Sequence, residues 1–466
     1  MNLLHPDARL IDASTGQVYP GDELGDMVDA AAETYAADAA RRRAAGHPTG
    51  AVFALTHTTA GSVARYLGAL AARRPVALLD PDMPRSALLG LLDRFLPALV
   101  TGATEPPPDG YSAEHLPGLG PVWALDEAGP RQGGAEPHPD LALLLTTSGS
   151  TGNPKLVRLS RRAVQFSAEA IADSLGIDAD EVAPTTLPLF YTYGLSVLNS
   201  HLVRGATVVL ESTGIMQRDF WTAVERYGVT SLAAVPYQYE MLRRLRFDPA
   251  KYPTLRTLTQ AGGRLRPQLV TDFAERMAAV GGRLFVMYGQ TEAGPRMTVL
   301  PPERIADKLG SAGLPIPGGR LTICDEEVVY HGPNVMMGYA ESAADLARGD
   351  ELQGVLHTGD LGRLDDEGFL FITGRLKRIA KVFGVRVNLD DVERSLASHG
   401  AVAAVAGDDR IHVFVEGADA TLARSLRGEL ASWLDTHFSG LDVRGLERLP
   451  LLPTGKVDYR ALERSL

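Results

Sequence analysis

Along the chain, short runs of β-branched and leucine-rich positions alternate with stretches whose apolar residues recur at helical spacing. Residues 51–55 read as a strand, 60–72 as a helix and 75–79 as a second strand, ahead of the turn Asp80-Pro81-Asp82-Met83-Pro84. The rhythm returns with a strand at 206–210, a helix at 219–227 and a strand at 231–235. This alternation predicts an α/β fold with a large N-terminal domain built on sheets. Residues 103–140, rich in proline, glycine and acidic side chains, read as surface loop around one short strand at 121–125. Beyond residue 310 the pattern turns to short strands between Gly and Pro turns, at 320–323, 327–330 and 368–372, which predicts a small β-barrel-like lobe. The final stretch has its own strand–helix alternation, at 390–398, 401–406, 411–416 and 420–437. The expected division is therefore 1–376 for the large domain and its lobe, and 377–466 for a small C-terminal α+β domain.

Composition removes several function classes. A single cysteine, Cys324, excludes a disulfide framework and a thiolate metal site. The histidines show no H-x-x-x-H pair, so structural zinc is not expected. No apolar run reaches membrane-spanning length and no basic-then-apolar leader opens the chain, which predicts a cytoplasmic protein without membrane insertion. A net charge of −11 disfavours nucleic acid as a partner. Of the 46 basic residues only six are lysine (Lys155, Lys251, Lys308, Lys377, Lys381 and Lys456), so lysine is kept where a compact, mobile ammonium is needed.

The candidate chemistry begins after the apolar run at 141–145, which leads directly into Thr146-Thr147-Ser148-Gly149-Ser150-Thr151-Gly152-Asn153-Pro154-Lys155. Glycines let backbone N–H groups turn towards an anion, hydroxyls add donors and the lysine adds charge. The segment is not a Walker A loop, because proline precedes Lys155 and Leu156 follows it. After a short strand at 156–159, Ser160 can cap a helix carried by Val164, Ala168, Ile171 and Leu175. Further along stand Met287-Tyr288-Gly289-Gln290-Thr291-Glu292 after a strand at 283–287, then His357-Thr358-Gly359-Asp360, Gly374-Arg375-Leu376-Lys377 and Leu452-Pro453-Thr454-Gly455-Lys456. Taken singly, each of these four is an ordinary turn or loop.

Together, in this order and spacing, the five segments resemble the acyl-adenylate-forming enzymes: acyl-CoA synthetases, adenylation domains and luciferases. The resemblance runs from about residue 50 to the end. It implies ATP and Mg²⁺ as cofactors and a small-molecule carboxylate as substrate. It also implies a C-terminal domain that moves about a hinge. The nucleotide residues it implies are Thr147, Ser148, Gly149, Ser150, Thr151, Gly152, Lys155, Gly262, Gly263, Tyr288, Gly289, Gln290, Thr291, Asp360, Arg375 and Lys456. Among them Tyr288 lies against the purine, Asp360 accepts the ribose hydroxyls and Glu292 holds the metal. Lys456, Glu292 and Thr147 are the implied catalytic groups. A carboxylate attacking the α-phosphorus brings two anions together, and such groups neutralise the charge that develops on the phosphate oxygens. Lys377 is the implied hinge. Lys381 and Gly384 belong to a loop facing a passage for a pantetheine thiol, so coenzyme A or a carrier-protein arm is the expected acceptor and an acyl carrier protein a candidate partner.

The implied acyl pocket comprises Phe190, Tyr191, Tyr193, Gly194, Tyr237, Gly262, Ala293 and Pro295. Tyr191 stands where many acyl-CoA and aryl ligases carry histidine. The aspartate that pairs with an α-ammonium in amino-acid-activating domains is missing from the segment, which points to an aryl or medium-length acyl carboxylate. Transfer of the adenylate to a nitrogen nucleophile is the related alternative. An ATPase or phosphotransferase using the 146–155 loop, or a silent nucleotide-binding relative, are alternatives of another class. Four of the six lysines fall inside the matching segments.

Overall fold

A computed structural model of the chain describes residues 2–126, 134–146, 155–383, 385–407, 410–434, 436–452 and 456–466. The chain forms two units. The first comprises residues 1–309, 315–320 and 331–356, and the second 310–314, 321–330 and 357–466.

The first unit is built on an eight-stranded sheet. Its centre is parallel: Val52–Leu55 pairs with Val76–Leu79 on one side and Leu99–Thr101 on the other, and Val76–Leu79 pairs with Leu141–Thr146. These strands are buried along their whole length, which is why they read as continuous apolar runs. Leu156–Ser160 and then Gly338–Ala340 extend one edge antiparallel. The other edge is the hairpin of Tyr111–Leu116 with Gly120–Leu125. Only the second of these strands was expected; Ser112, Ala113, Glu114 and His115 face solvent on the outermost strand, so its sequence is polar and reads as loop. A second sheet runs Ser231–Ala234, Thr257–Gln260, Arg283–Tyr288 in parallel, then Thr298–Leu300 antiparallel.

The helix Gly21–Ala44, absent from the sequence reading, packs on the helix Ala60–Ala71. Its buried stripe mixes Leu24, Val28 and Tyr35 with Gly21, Ala31, Ala39, Asp38 and Arg42, so its apolar periodicity is weak. The crossing is close: a Cβ on Gly68 would lie 2.7 Å from the Ala31 Cβ and 2.9 Å from the Val28 carbonyl oxygen. Ser160 caps the helix Arg161–Leu175 as expected, accepting from the Ala163 N–H at 3.0 Å.

In the second unit, Arg320–Cys324, Glu327–His331, Val355–Leu364 and Leu370–Arg375 form an open four-stranded sheet in place of the expected barrel-like lobe. The C-terminal part has a two-stranded ribbon, Ile379–Val382 with Val385–Asn388, and a three-stranded sheet, Val402–Gly407, Arg410–Glu416 and Leu441–Leu446. Helices Leu389–Ser395 and Ala420–Trp433 bury Val392, Leu426 and Leu430 in one apolar cluster with these strands. Among the described residues no helix is long and apolar enough to cross a membrane.

Candidate functional site

Thr146 and Leu156 are register partners on adjacent antiparallel strands, so the two ends of the candidate phosphate segment are held together by the ladder. Thr147, Ser148, Gly149, Ser150, Thr151 and Gly152 themselves lie outside the described residues. Lys155 emerges beside the edge strand Gly338–Ala340. Its Nζ lies 2.6 Å from Glu341 Oε1 and 5.8 Å from the centre of the Tyr339 ring. The Tyr339 hydroxyl donates to Glu292 Oε1 at 2.8 Å. Burial, reinforced by the Glu292 carboxylate, pushes the Tyr339 phenol well above its ordinary range, so it stays a donor. The lysine of the first segment and the glutamate of the second are thus joined through Tyr339, which, like Glu341, the sequence reading did not single out.

The segment bearing Glu292 is a short 3-10 turn, Thr291–Ala293, at the end of the strand Arg283–Tyr288. It is fixed from beneath by Asn334, which is fully buried and donates through Nδ2 to the carbonyls of Ala293 (2.6 Å) and Arg296 (2.8 Å). The Met336 N–H donates to the Glu292 carbonyl at 2.9 Å. Gly289 admits the returning chain, since a Cβ there would sit 1.6 Å from the Pro295 carbonyl oxygen. The Glu292 carboxylate therefore projects from a rigid turn, the arrangement a charge-binding group needs. Tyr288 is half-buried at the strand end, paired in register with Thr298, and Gln290 is the N-cap of the turn.

The proposed pocket residues are placed unequally. Tyr191 precedes the helix Thr192–Leu202, and its hydroxyl abuts Gly262, where a Cβ would come within 2.7 Å at a φ of +82°. Tyr193 is buried, with its hydroxyl 2.8 Å from Thr259 Oγ1 and its ring edge-on to Tyr191. Burial pushes both phenols up to about 12. Ala293 and Pro295 are buried and Phe190 is half-buried. Gly194 serves packing, because a Cβ would meet the Pro188 carbonyl at 2.2 Å. Gly263 is exposed, and its carbonyl accepts from Gln260 Nε2 at 2.7 Å. Tyr237 is 41% exposed on the helix Pro236–Arg244. Among these groups sits Arg296, which the sequence reading passed over.

Within the second unit, Asp360 and Arg375 are register partners, with Arg375 Nε 2.9 Å from Asp360 Oδ1. The aspartate side chain is 3% exposed and the arginine 60%. The approach to Asp360 is set by Thr358, which donates to the Val328 carbonyl at 2.7 Å and accepts from the Asp360 N–H at 3.1 Å. Glu327 receives the Gly359 N–H and the His357 ring at 2.8 Å each. Gly374 is required by the close pass of Asn388, whose Nδ2 would lie 1.9 Å from an added Cβ. Lys377 lies in the 3-10 turn Leu376–Arg378, and Lys381 on the ribbon strand opposite Arg386. Gly384 lies outside the described residues. Lys456 is half-buried on a tight return: its carbonyl accepts from the Leu452 N–H at 2.7 Å, and Leu451 bridges Val457. Three residues on, the Tyr459 hydroxyl donates to both Glu393 oxygens (3.1 and 3.2 Å) and Arg378 lies 4.1 Å from the centre of its ring.

Residues 39–340 match the model of the AMP-binding enzyme family. This chain belongs to that family. It is an ATP-dependent, AMP-forming ligase that activates a carboxylate. The feruloyl-CoA synthase of an Amycolatopsis species is 32% identical over 347 residues, 68% of this chain and 68% of its own. The 2-succinylbenzoate–CoA ligase of Bacillus subtilis is 35% identical over 275 residues, 56% of this chain and 54% of its own. In fold, this AMP-binding enzyme is similar to the o-succinylbenzoate coenzyme A synthetase of Bacillus subtilis solved with ATP and magnesium ion. That structure has a TM-score of 0.74 at 24% identity, over 97% of this chain and 96% of its own.

The residues present suit a metal delivered with the nucleotide. Among the described residues no cluster of three or more His, Cys, Asp or Glu could cage an ion. Magnesium needs only one or two carboxylates when phosphates and waters complete its shell, and Glu292 supplies one.

Proposed function

We propose that this enzyme joins a small carboxylate to MgATP, forming an acyl-adenylate and pyrophosphate, and then passes the acyl group to the thiol of coenzyme A. The observation that carries the reading is the chain of contacts Lys155–Glu341 and Tyr339–Glu292, which gathers a cation and a metal-binding carboxylate beside the ends of two sheet strands. Ligands of open α/β sheets bind at such strand ends. In this reading Lys155 and the hydroxyl-rich segment 147–154 hold the phosphates, and Glu292 holds the metal. Tyr288 and Asp360 bind the nucleoside, with Arg375 beside the ribose. Lys456 neutralises charge between the attacking carboxylate and the α-phosphate. Magnesium, when bound, withdraws charge from the phosphate oxygens.

The substrate class we assign is an aryl or medium-length acyl carboxylate, received by Phe190, Tyr191, Tyr193 and Pro295. The feruloyl-CoA synthase and 2-succinylbenzoate–CoA ligase relatives support an aromatic acid and a coenzyme A acceptor. A carrier-protein arm offers the same thiol chemistry. We further propose that the second half-reaction uses a rotation at Lys377 of residues 377–466, with Lys381 and Gly384 bordering the thiol passage. We assign the reaction to the cytoplasm, where both ATP and coenzyme A are available.

The test is ATP–pyrophosphate exchange across a carboxylic-acid panel, followed by thioester formation with coenzyme A and with a phosphopantetheinylated carrier. Acid-dependent exchange with AMP as product is expected. Release of ADP and phosphate would sink the reading, and exchange without thioester would transfer it to a nitrogen acceptor.

A further inference from the structure

Arg296 is 2% exposed, one of the largest fully buried side chains in the protein. Among the described residues no carboxylate pairs with it, and its buried Nε has no hydrogen-bond partner. Its guanidinium lies 4.9 Å from the centre of the Tyr193 ring. Burial pulls its pKa below the ordinary arginine value, and the phenols of Tyr193 and Tyr191 oppose that shift. The other fully buried arginine on this scale, Arg158, is treated differently: it pairs with Glu351 and donates to the Met337 carbonyl at 2.9 Å. Arg74, 2% exposed, pairs with Asp38 at 2.8 Å.

A buried guanidinium without a carboxylate is costly, because the Tyr193 ring face replaces only part of the solvation it has lost. Strain of that kind is kept where a ligand relieves it. Arg296 lines a narrow cavity with Tyr193, Ser196, Thr259 and Met287, bounded by the helix Thr192–Leu202 and the sheet strands Thr257–Gln260 and Arg283–Tyr288; His201 and Glu181 also line it, the latter engaged by Thr230 and Arg256. The cavity adjoins the proposed acyl pocket: a second cavity lined by Thr192, Gly294 and Pro295 shares Ile171 and Ser196 with it. Hydroxyls from Ser196 and Thr259 give the wall further hydrogen-bonding groups.

We infer that Arg296 receives a second carboxylate, so that the acid activated by this enzyme is a dicarboxylate whose far end enters this cavity. The inference rests on the carboxylate-activation reading and specifies its substrate. A guanidinium matches a carboxylate by two parallel N–H···O bonds. A site built for that group rejects the analogue lacking it, since the arginine is then left buried and unpaired. Tyr193 holds the guanidinium by its ring face and limits the length of the acid.

The experiment compares matched acids in ATP–pyrophosphate exchange: succinate with butyrate, adipate with hexanoate, and 3-(4-carboxyphenyl)propanoate with 3-phenylpropanoate. Wild-type enzyme is expected to prefer the best diacid over its monoacid by at least ~10² in kcat/KM, and Arg296→Gln to bring the ratio near one. Melting temperature is the second readout, independent of turnover. The preferred diacid should raise it in the wild type and not in Arg296→Gln or Arg296→Met, while the variants alone should melt no lower than wild type. Robust exchange with monoacids at equal or higher efficiency overturns the inference and leaves carboxylate activation standing. No exchange and no melting shift with any acid overturns both.

Discussion

Asp360 and Arg375 belong to two segments 15 residues apart, and the antiparallel register sets them opposite one another, Nε to Oδ1 at 2.9 Å. The aspartate is buried and the arginine mostly exposed, so the pair presents one face to solvent while its anion is shielded. In a nucleotide-binding role the carboxylate accepts the ribose hydroxyls, and the arginine holds it in orientation.

Replacing Asp360 by Asn keeps the shape and removes the charge. The KM for ATP should rise roughly ten- to a hundredfold, the equivalent of one charge-assisted hydrogen bond. The KM for the acid should stay within a factor of about three. Initial rates of pyrophosphate exchange under varied ATP and varied acid separate the two. An equal rise in both would remove Asp360 from the ribose.

Lys456 sits on a return closed by the Leu452 N–H and followed by the helix Tyr459–Glu463. Its substitution by Ala should lower adenylate formation by about 10²–10³. ATP binding, measured by calorimetry, should be nearly intact. Loss of both together would point to misfolding or to a different role for this lysine.

Tyr459 anchors the segment that carries Lys456. Its hydroxyl donates to Glu393, a half-buried carboxyl that also accepts from the Ala404 N–H at 2.8 Å and pairs with Arg378 at 2.6 Å. Tyr459→Phe should cost about 1 kcal/mol of stability. A severalfold lower exchange rate with an unchanged KM for ATP is expected alongside it. Urea unfolding and exchange kinetics on the same preparation check both, and an unaltered rate would confine Tyr459 to packing.

His201 is buried in the helix Thr192–Leu202, with Nδ1 donating to the Val197 carbonyl at 2.8 Å. Burial pulls its pKa from 6.5 down to about 4. The unfolded chain therefore binds the proton first. The stability that His201 contributes is complete above pH 6.5 and is lost as the pH falls from 6.5 to about 4. The loss amounts to about 3 kcal/mol for a shift of this size. Urea midpoints at pH 7.5, 5.5 and 4.5 should fall more steeply for wild type than for His201→Gln. Parallel slopes would mean that another group titrates.

The parallel strands of the large sheet were readable because they are buried on both faces, so apolarity runs unbroken through Val52–Leu55, Val76–Leu79 and Leu141–Thr146. Ser160 was readable because capping is local. The edge strand Tyr111–Leu116 was not, since half of what makes a strand there is its neighbour across the ladder. The helix Gly21–Ala44 was missed because its buried face mixes apolar, small and charged residues, Asp38 and Arg42 among them, so no apolar stripe marks it.

The site divides in the same way. Sequence alone determined the kinds of group in each segment and their order, including Lys155, Glu292, Asp360, Arg375 and Lys456, because motif chemistry is encoded in short windows. Tertiary structure decided their partners. Tyr339 reaches Glu292 from 47 residues away, Asn334 holds the same turn from beneath, and Arg296 ends buried with no carboxylate paired to it among the described residues. Charge pairing depends on which side chains meet across a ladder or under a turn. No local pattern specifies that meeting; the packing of the sheets does.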